Sequence, residues 1–253
     1  GDGQAGICFT YKVAAEIGSL GDNVRQLRHD IANDAALHLI TRHRLHNHTV
    51  SAHTRWASVG AITIANCHPL DNAVQSPRGK DQGIIHACLN GDIDNYLALK
   101  AQWENDDRRI PEEITGDTKI IPLQVEKHID AGHDVTEAFR RAVNDFEGSH
   151  AITMHTDLAP GKFFLAQKGS GQAIFVGLAQ DHYLPTSEVY GFVEETSRFL
   201  KLDGERVIEG RSGKTQGQIY VLDQTKAGEL SGITAMYYDG TPLPLSETDI
   251  QQT

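Results

Sequence analysis

The stretch DVTEAFRRAVNDFEGSHAITM, residues 134–154, contains the change of pattern that decides the fold class. Its first part predicts a helix over 134–146, because Asp134 is a favoured N-cap residue and apolar side chains recur on one helical face. Glu137 stands three residues after the cap, where it supports the first turn. The apolar run 151–154 then predicts a strand. An amphipathic helix is thus followed directly by a strand.

Segments on either side of this stretch predict further elements of both kinds. Periodic apolar positions or strong helix formers predict helices, and runs rich in β-branched, aromatic and small apolar residues predict strands. The helices are Asp22 to Asp34, Asp94 to Glu104 and Asp117 to about Ile129, and the strands are Ala5 to Tyr11, Val50 to Trp56, Lys162 to Ala166, Ala173 to Val176, Arg198 to Leu202 and Gln218 to Leu222. This order predicts an α+β layered domain rather than alternating parallel units.

The composition is that of an ordinary globular protein and excludes several partners. The net charge is −11, and Lys and Arg are interspersed with Asp and Glu, so we expect no nucleic acid and no membrane partner. The apolar runs are far shorter than the roughly 20 residues that span a bilayer, and we expect a cytoplasmic protein. No linker-like composition precedes residue 225. We therefore predict one domain over 1–225, followed by a C-terminal strand or tail over 226–253.

Cysteines and histidines give little sign of a disulfide framework or a metal centre. The cysteines are Cys8, Cys67 and Cys88. Their odd number and the absence of a C-x-x-C pair are typical of a reducing compartment. The clustered histidines are His43, His46 and His48. They lie in a polar, Arg-rich stretch without a matching Cys or carboxylate cluster, so a solvated loop is favoured over a metal site. We predict no metal and no organic cofactor.

Three groups of polar residues interrupt apolar sequence and are candidates for ligand binding. Arg55 follows an apolar run, and its guanidinium needs a carboxylate partner, either in an internal ion pair or on a substrate. Asn90-Gly91 predicts a tight turn, or alternatively two donors for a developing oxyanion. Asp117 begins a predicted helix, where it caps the helix or binds a substrate ammonium. Together these groups suit an α-amino acid with a side-chain carbonyl, and glutamine is one such ligand.

The motifs that contain these residues resemble a known family. His53-Thr54-Arg55-Trp56-Ala57, Asn66-Cys67-His68-Pro69, the run 90–96 and Gly116-Asp117-Thr118 occur in the order and approximate spacing of the glutaminase domain of the glucosamine 6-phosphate synthases, which are class II glutamine amidotransferases. The similarity continues through 146–151, 166–171 and 199–205, and so covers nearly the whole chain. The resemblance implies a four-layer αββα sandwich of the N-terminal nucleophile hydrolase class.

The resemblance also implies a role for each matching residue. In that family the thiolate of an N-terminal cysteine attacks the glutamine amide, and its own α-amino group acts as the base. By position, Arg55 binds the glutamine α-carboxylate and Asp117 binds the α-amino group. Asn90 and Gly91 form the oxyanion hole. The residues expected to line or cover the site are Trp56, Ser58 and His68.

The start of the chain departs from the family pattern. The family begins with Cys-Gly-Ile, whereas the first residues here match the end of a later stretch of that family. We therefore expect the nucleophile and the first strand to lie upstream of Gly1, and residues 1–253 alone to be inactive. Cys8 lacks the following glycine and is flanked by Ile7 and Phe9 in a predicted strand. We expect it to be a buried structural cysteine.

Other departures leave more than one function open. Ser58, Val59 and Lys119 stand where the family commonly has threonine, histidine and an acidic residue. One alternative is a degenerate, noncatalytic domain that binds glutamine or regulates a partner, and another is the glutaminase domain of a different class II amidotransferase. The favoured hypothesis is the glutaminase domain of a longer synthase. In it, a sugar isomerase (SIS) domain follows residue 253 and uses the ammonia to convert fructose 6-phosphate to glucosamine 6-phosphate, with a homodimer as a further possibility.

Overall fold

The computed structural model of the chain describes residues 7–14, 21–43, 48–55, 59–74, 83–104, 108–207 and 215–253. The α-helices in this described part are α1 (Asp22–Asn33), α2 (Ala35–Thr41), α3 (Tyr96–Glu104), α4 (Ile120–Asp130) and α5 (Val135–Asn144). None of these helices is both long and apolar enough to cross a bilayer. Short 3₁₀ turns cover Ile64–Asn66 and Asp117–Lys119.

Most strands belong to two antiparallel sheets. The strands are β1 (Leu70–Asp71), β2 (Ile85–Gly91), β3 (His150–Thr156), β4 (Lys162–Lys168), β5 (Phe175–Leu178), β6 (Tyr183–Thr186), β7 (Arg198–Lys201), β8 (Arg206–Val207), β9 (Thr215–Gln216), β10 (Gln218–Asp223), β11 (Ile233–Tyr237) and β12 (Gln251–Gln252). The larger sheet has the order β1-β2-β3-β4-β10-β11 and the smaller sheet the order β12-β7-β5-β6. β8 and β9 form a separate two-stranded ribbon.

The larger sheet lies between a helical layer and the smaller sheet, because side chains alternate along its strands. On β3, Ile152 and Met154 belong to a core that includes Val125 of α4 and Phe139 of α5. Ala151, on the opposite face, belongs to a second core between the two sheets. The α+β sandwich of antiparallel sheets and helices predicted from the sequence is therefore confirmed.

Helix α5 forms as its sequence predicts. The Oδ1 atom of Asp134 accepts a hydrogen bond from the backbone N–H of Glu137 at 3.0 Å, which is the expected N-cap contact. Ala138 and Phe139 are fully buried. Truncating a buried phenylalanine to alanine costs about 3–5 kcal/mol, so this helix face contributes much of the stability of the helical layer. The helix ends at Asn144, two residues before the predicted end.

The N-terminal half of the chain departs from two strand predictions. Residues 7–11 and 50–55, the described parts of the first two predicted strands, are not in strand conformation. Val50 is 87% exposed, and Cys8, which was expected to be buried, is exposed. An apolar, β-branched composition forms a strand only where a sheet edge is within reach. Here β2 is already paired on both sides, with β1 and with β3.

The tail over 226–253 contributes a strand to each sheet. β11 pairs with β10, with Met236 opposite Ile219, and completes one edge of the larger sheet. β12 pairs with β7, with Gln251 opposite Phe199, at one edge of the smaller sheet. The predicted strand of the tail is therefore part of the sandwich. That the tail also leads to another domain stays a prediction.

Candidate functional site

Asn90 and Gly91 form the end of β2, next to the centre of the larger sheet. They pair with Ala151 and His150 of β3, so they continue a ladder and do not form the hairpin turn that the dipeptide also allows. Gly91 has φ +104°, a left-handed conformation that favours glycine. A Cβ atom there would lie 2.2 Å from the carbonyl oxygen of Ser149. Glycine is thus required at this position by both the backbone conformation and the close approach of Ser149, the residue before β3.

Asp117 is a buried carboxylate that is tied to the segment after Asn90-Gly91. Its side chain is almost completely covered, and its Oδ2 atom accepts a hydrogen bond from the backbone N–H of Ile93 at 2.9 Å. Asp117 begins a 3₁₀ turn, and the N-cap position of α4 is Lys119, so Asp117 does not cap α4. Burial raises the pKa of Asp117, and the nearby charge of Asp92 adds to this effect, while backbone N–H groups oppose it.

Lys119 is equally buried, but its charge is directed away from the neighbouring carboxylate. Its ammonium donates hydrogen bonds to the carbonyl oxygens of Asp71 and Ala73, both at 2.6 Å, and lies 3.3 Å from the Asp71 carboxylate. The lysine therefore fastens α4 to β1 and the residues after it. The presence of Lys119, where the family resemblance predicts an acidic residue, does not place a cation against Asp117.

Asn66 holds the loop that carries Asp117. Its side chain is 1% exposed, and its Oδ1 atom accepts hydrogen bonds from the backbone N–H groups of Thr115 at 2.9 Å and Gly116 at 3.0 Å. Its Nδ2 atom donates to the carbonyl of Glu113 at 3.1 Å. The sequence placed Asn66 inside a motif without giving it a role. The signal available was a polar residue next to a proline-containing turn, which does not specify a partner 49 residues away.

Arg55 lies against the same loop. Its Nη1 atom donates to the carbonyl of Ala61 at 3.1 Å, and its Nη2 atom donates to the carbonyl of Val59. A Cβ atom on Gly116 would lie 3.9 Å from Nη2. The described contacts of Arg55 are thus backbone carbonyls, and they hold the guanidinium beside the residue that precedes Asp117. The internal ion pair considered from the sequence is not what these contacts show.

His68 connects the two halves of this region. Its Nδ1 atom accepts a hydrogen bond from the backbone N–H of Leu89 at 3.4 Å, and its Nε2 atom lies 2.8 Å from Oγ1 of Thr118. Because Nδ1 accepts, Nε2 carries the proton and donates to the threonine. Burial lowers the pKa of His68 to about 3, and the nearby charges of His53 and Arg55 add to this effect. The imidazole is therefore neutral at pH 7 and links β2, just before Asn90, to the turn that holds Asp117.

These contacts connect Arg55 and Asp117 to the segment that follows Asn90-Gly91, while Asp117 and Asn90 line separate cavities. Asp117 lines a small cavity of about 10 Å³. Asn90 lines an open cleft of about 550 Å³ at the ends of the two sheets. Trp56 and Ser58, the other predicted site residues, lie outside the described residues.

Sequence comparison finds similar proteins that are much longer than this chain. No family model matches it. It is 34% identical over 158 residues to the glutamine–fructose-6-phosphate aminotransferase (isomerizing) of Methanothermobacter thermautotrophicus, covering 62% of this chain and 25% of that protein. It is 26% identical over 208 residues to the enzyme of the same name from Bacillus spizizenii, covering 79% and 32%. The chain thus spans a quarter to a third of the length of these relatives.

Structural comparison agrees with the fold. The chain superimposes on glutamine phosphoribosylpyrophosphate amidotransferase from B. subtilis, complexed with ADP and GMP, with a TM-score of 0.54 and 18% identity, covering 74% of this chain and 34% of that one. It also superimposes on the allosteric regulatory enzyme of purine biosynthesis, with a TM-score of 0.52 and 18% identity over 70% of this chain and 32% of that one. At this identity the likeness concerns the fold alone.

Proposed function

We propose that this chain is the glutamine-hydrolysing domain of a longer aminotransferase. Its sequence resembles part of the glutamine–fructose-6-phosphate aminotransferases, and its fold is the N-terminal nucleophile hydrolase sandwich. The observation that carries the proposal is that the Arg55 guanidinium lies beside Gly116, the residue that precedes the buried carboxylate of Asp117. A guanidinium and a buried carboxylate that close together match the two charged ends of one α-amino acid. A guanidinium has five N–H donors, so its two carbonyl contacts leave donors for a substrate carboxylate.

The charge state of Asp117 supports the same assignment. Its pKa is raised by burial, which means that the ionised carboxylate is under-stabilised in the free protein. A substrate ammonium beside it would supply the missing positive charge. Residues whose pKa is perturbed in this way are frequent at binding sites. We assign Asp117 to the α-amino group of glutamine and Arg55 to its α-carboxylate.

The end of β2 is assigned to the reacting amide. When a thiolate attacks the amide carbonyl, negative charge develops on its oxygen, and two fixed N–H donors stabilise that charge. The side chain of Asn90 and the backbone of Gly91 are suited to this role because they lie at an exposed strand end whose backbone is fixed by β3. Loss of one such donor typically lowers kcat by about 10²–10³ fold.

The attacking thiolate is assigned to an N-terminal cysteine of the longer protein and not to the three cysteines of this chain. Burial raises the pKa of Cys88, which disfavours the reactive thiolate. Cys67 donates to the carbonyls of Val13 and Thr63. Cys8 lies beside His86, with 3.9 Å between Sγ and Nε2. The released ammonia would be used by a sugar isomerase domain to aminate fructose 6-phosphate.

The test separates binding from hydrolysis. Isothermal calorimetry on residues 1–253 should detect glutamine, and Arg55→Lys should weaken the affinity because a point charge cannot replace the planar fork. The longer protein with its N-terminal cysteine should release glutamate from glutamine and form glucosamine 6-phosphate from fructose 6-phosphate. Binding without glutamate release by the longer protein would instead identify a noncatalytic glutamine-binding domain. The absence of both glutamine binding and glutamate release would refute the proposal.

A further inference from the structure

A cluster of three side chains lies on the larger sheet, separate from the proposed glutamine site. Cys8, His86 and His155 each present one potential ligand atom, and these atoms lie within 4.8 Å of one another. The Sγ atom of Cys8 is 3.9 Å from Nε2 of His86. The three residues are far apart in the sequence and are brought together only by the fold.

The two imidazoles are held in place by the sheet itself. His86 on β2 is directly opposite His155 on β3, and their rings stack with centroids 5.1 Å apart and planes 14° apart. His155 also stacks on the ring of Phe163 of β4, with centroids 6.2 Å apart and planes 11° apart. The ring nitrogens of both histidines are therefore oriented by neighbouring rings before any metal ion binds.

Cys8 reaches the same place from a different part of the chain. It belongs to the segment 7–14, which is not in strand conformation, and its Sγ atom approaches His86 of β2. Its side chain is exposed, so it can rotate, whereas His86 is buried. The segment 7–14 has a second contact with another cysteine, because Cys67 donates to the carbonyl of Val13 at 3.6 Å.

The chemistry of these donors matches one class of ion. The cluster offers two imidazole nitrogens and one cysteine sulfur, and imidazole binds a metal in its neutral form. Neutral imidazole together with a thiolate is a donor set that zinc prefers, and magnesium and calcium, which take oxygen ligands, do not.

The distances are close to those of a zinc site. Zinc–sulfur bonds of about 2.3 Å and zinc–nitrogen bonds of about 2.0–2.1 Å place the two ligand atoms roughly 3.5 Å apart in a tetrahedral site. The Cys8 to His86 distance exceeds this by a few tenths of an ångström. Rotation of the exposed Cys8 side chain can shorten this distance, and all three ligand atoms lie within 4.8 Å of one another.

We propose that Cys8, His86 and His155 form a zinc-binding site with three protein ligands and one position open to solvent. Binding forms one zinc–sulfur and two zinc–nitrogen bonds, and the thiol proton of Cys8 is released to solvent. The ion then joins the segment 7–14 to β2 and β3. This site is independent of glutamine, and its failure would leave the proposed amidotransferase function untouched.

Cobalt(II) titration of the untagged 253-residue chain tests the site, since cobalt occupies zinc sites and reports thiolate ligation in its absorption spectrum. We expect one equivalent of cobalt to produce a thiolate-to-cobalt charge-transfer band in the near ultraviolet, and one equivalent of zinc to abolish it. Cys8→Ser should remove the band. His155→Gln should weaken cobalt binding by more than the roughly tenfold that loss of an orienting hydrogen bond to a ligand costs.

Cys67→Ser is the matched control, because Cys67 also contacts the segment 7–14 but lies outside the cluster. It should keep both the band and the affinity. Zinc should also raise the thermal unfolding midpoint of the parent and of Cys67→Ser, and leave that of Cys8→Ser unchanged. A cooperative unfolding transition of Cys8→Ser shows that this variant is folded. A parent chain without the band, a band that persists in Cys8→Ser, or its loss in Cys67→Ser would overturn the proposal.

Discussion

Asn66→Ala removes the side chain that holds the Asp117 loop, and its effect can be worked out from five contacts. Oδ1 accepts from the N–H groups of Thr115 and Gly116, and Nδ2 donates to the carbonyl of Glu113 and to Oγ1 of both Thr63 and Thr115. A buried donor left without a partner costs about 1–3 kcal/mol. The two loop residues are not fully buried, so water reaches their N–H groups and the lower part of the range applies to each. We expect a total loss of about 2–3 kcal/mol.

The loss of stability should be accompanied by a loss of glutamine affinity. A chain of this size loses about 2–4 °C of its thermal midpoint for each kcal/mol, so Asn66→Ala should unfold roughly 4–12 °C earlier. Because the freed loop carries Asp117 and lies beside Arg55, the two proposed contacts to glutamine would no longer be held together. Urea unfolding measures the first effect and calorimetric glutamine titration the second.

Asn72→Ala is the matched control for this prediction. Asn72 is also buried, accepts from the N–H of Ile85 at 3.0 Å and donates to the carbonyl of Gly83 at 3.2 Å. It should lose stability by a similar amount and keep its glutamine affinity. If Asn66→Ala is destabilised by less than about 0.5 kcal/mol, or if both variants lose affinity equally, the assignment of Asn66 as the residue that positions this loop is wrong.

Three further substitutions test the site and its surroundings. Gly91→Ala places a Cβ atom 2.2 Å from the carbonyl of Ser149 at φ +104°; it should lower kcat of the longer protein about 10²-fold or more, measured as glutamate release, by moving the proposed oxyanion donors. Lys119→Met removes the ammonium bound to Asp71, whose carboxylate is 42% exposed. Urea unfolding should therefore show a loss of about 1–2 kcal/mol, less than the loss on breaking a fully buried ion pair, and calorimetric titration should show no tighter glutamine binding. Asp117→Asn removes a carboxylate whose pKa is raised by burial, so it should be more stable than the parent at pH 7 and bind glutamine weakly. The stability difference should disappear near pH 3, where the parent carboxyl is protonated in both the folded and the unfolded state.

The sequence predicted the parts of the fold that depend on local pattern. Helix α5 lies where its N-cap and apolar period placed it, since both signals are contained within a few residues. The strand predicted over residues 50–56 was wrong in its described part, because composition does not say whether a sheet edge is free to receive it. Strand pairing depends on segments far away in the chain, and both edges of β2 are paired, one with β1 and the other with β3.

The same distinction applies to the candidate sites. Arg55, Asn90-Gly91 and Asp117 could be selected as polar residues in apolar surroundings, but the role of Asn66 depends on a loop 49 residues later. The zinc proposal was missed for a similar reason. The clustered histidines of the sequence drew attention to residues 43–48, whereas His86 and His155 meet only through the register of β2 and β3. Spacing along the chain detects ligands on one turn or loop, not ligands from separate strands.

Two buried charges that are separated by one residue show how this site differs from ordinary core. The ammonium of Lys119 is neutralised by the Asp71 carboxylate and two carbonyl oxygens, as buried charges usually are. Burial raises the pKa of Asp117 from its ordinary value, the charge of Asp92 adds to this effect, and backbone N–H groups oppose it. A fold under selection for stability alone would replace such a carboxylate. A ligand with an ammonium group would stabilise it when bound, so glutamine should lower the pKa of Asp117. Carbon-detected NMR titration of the Asp117 carboxyl, with and without saturating glutamine, measures this shift, and an unchanged pKa would remove the ammonium contact from the proposal.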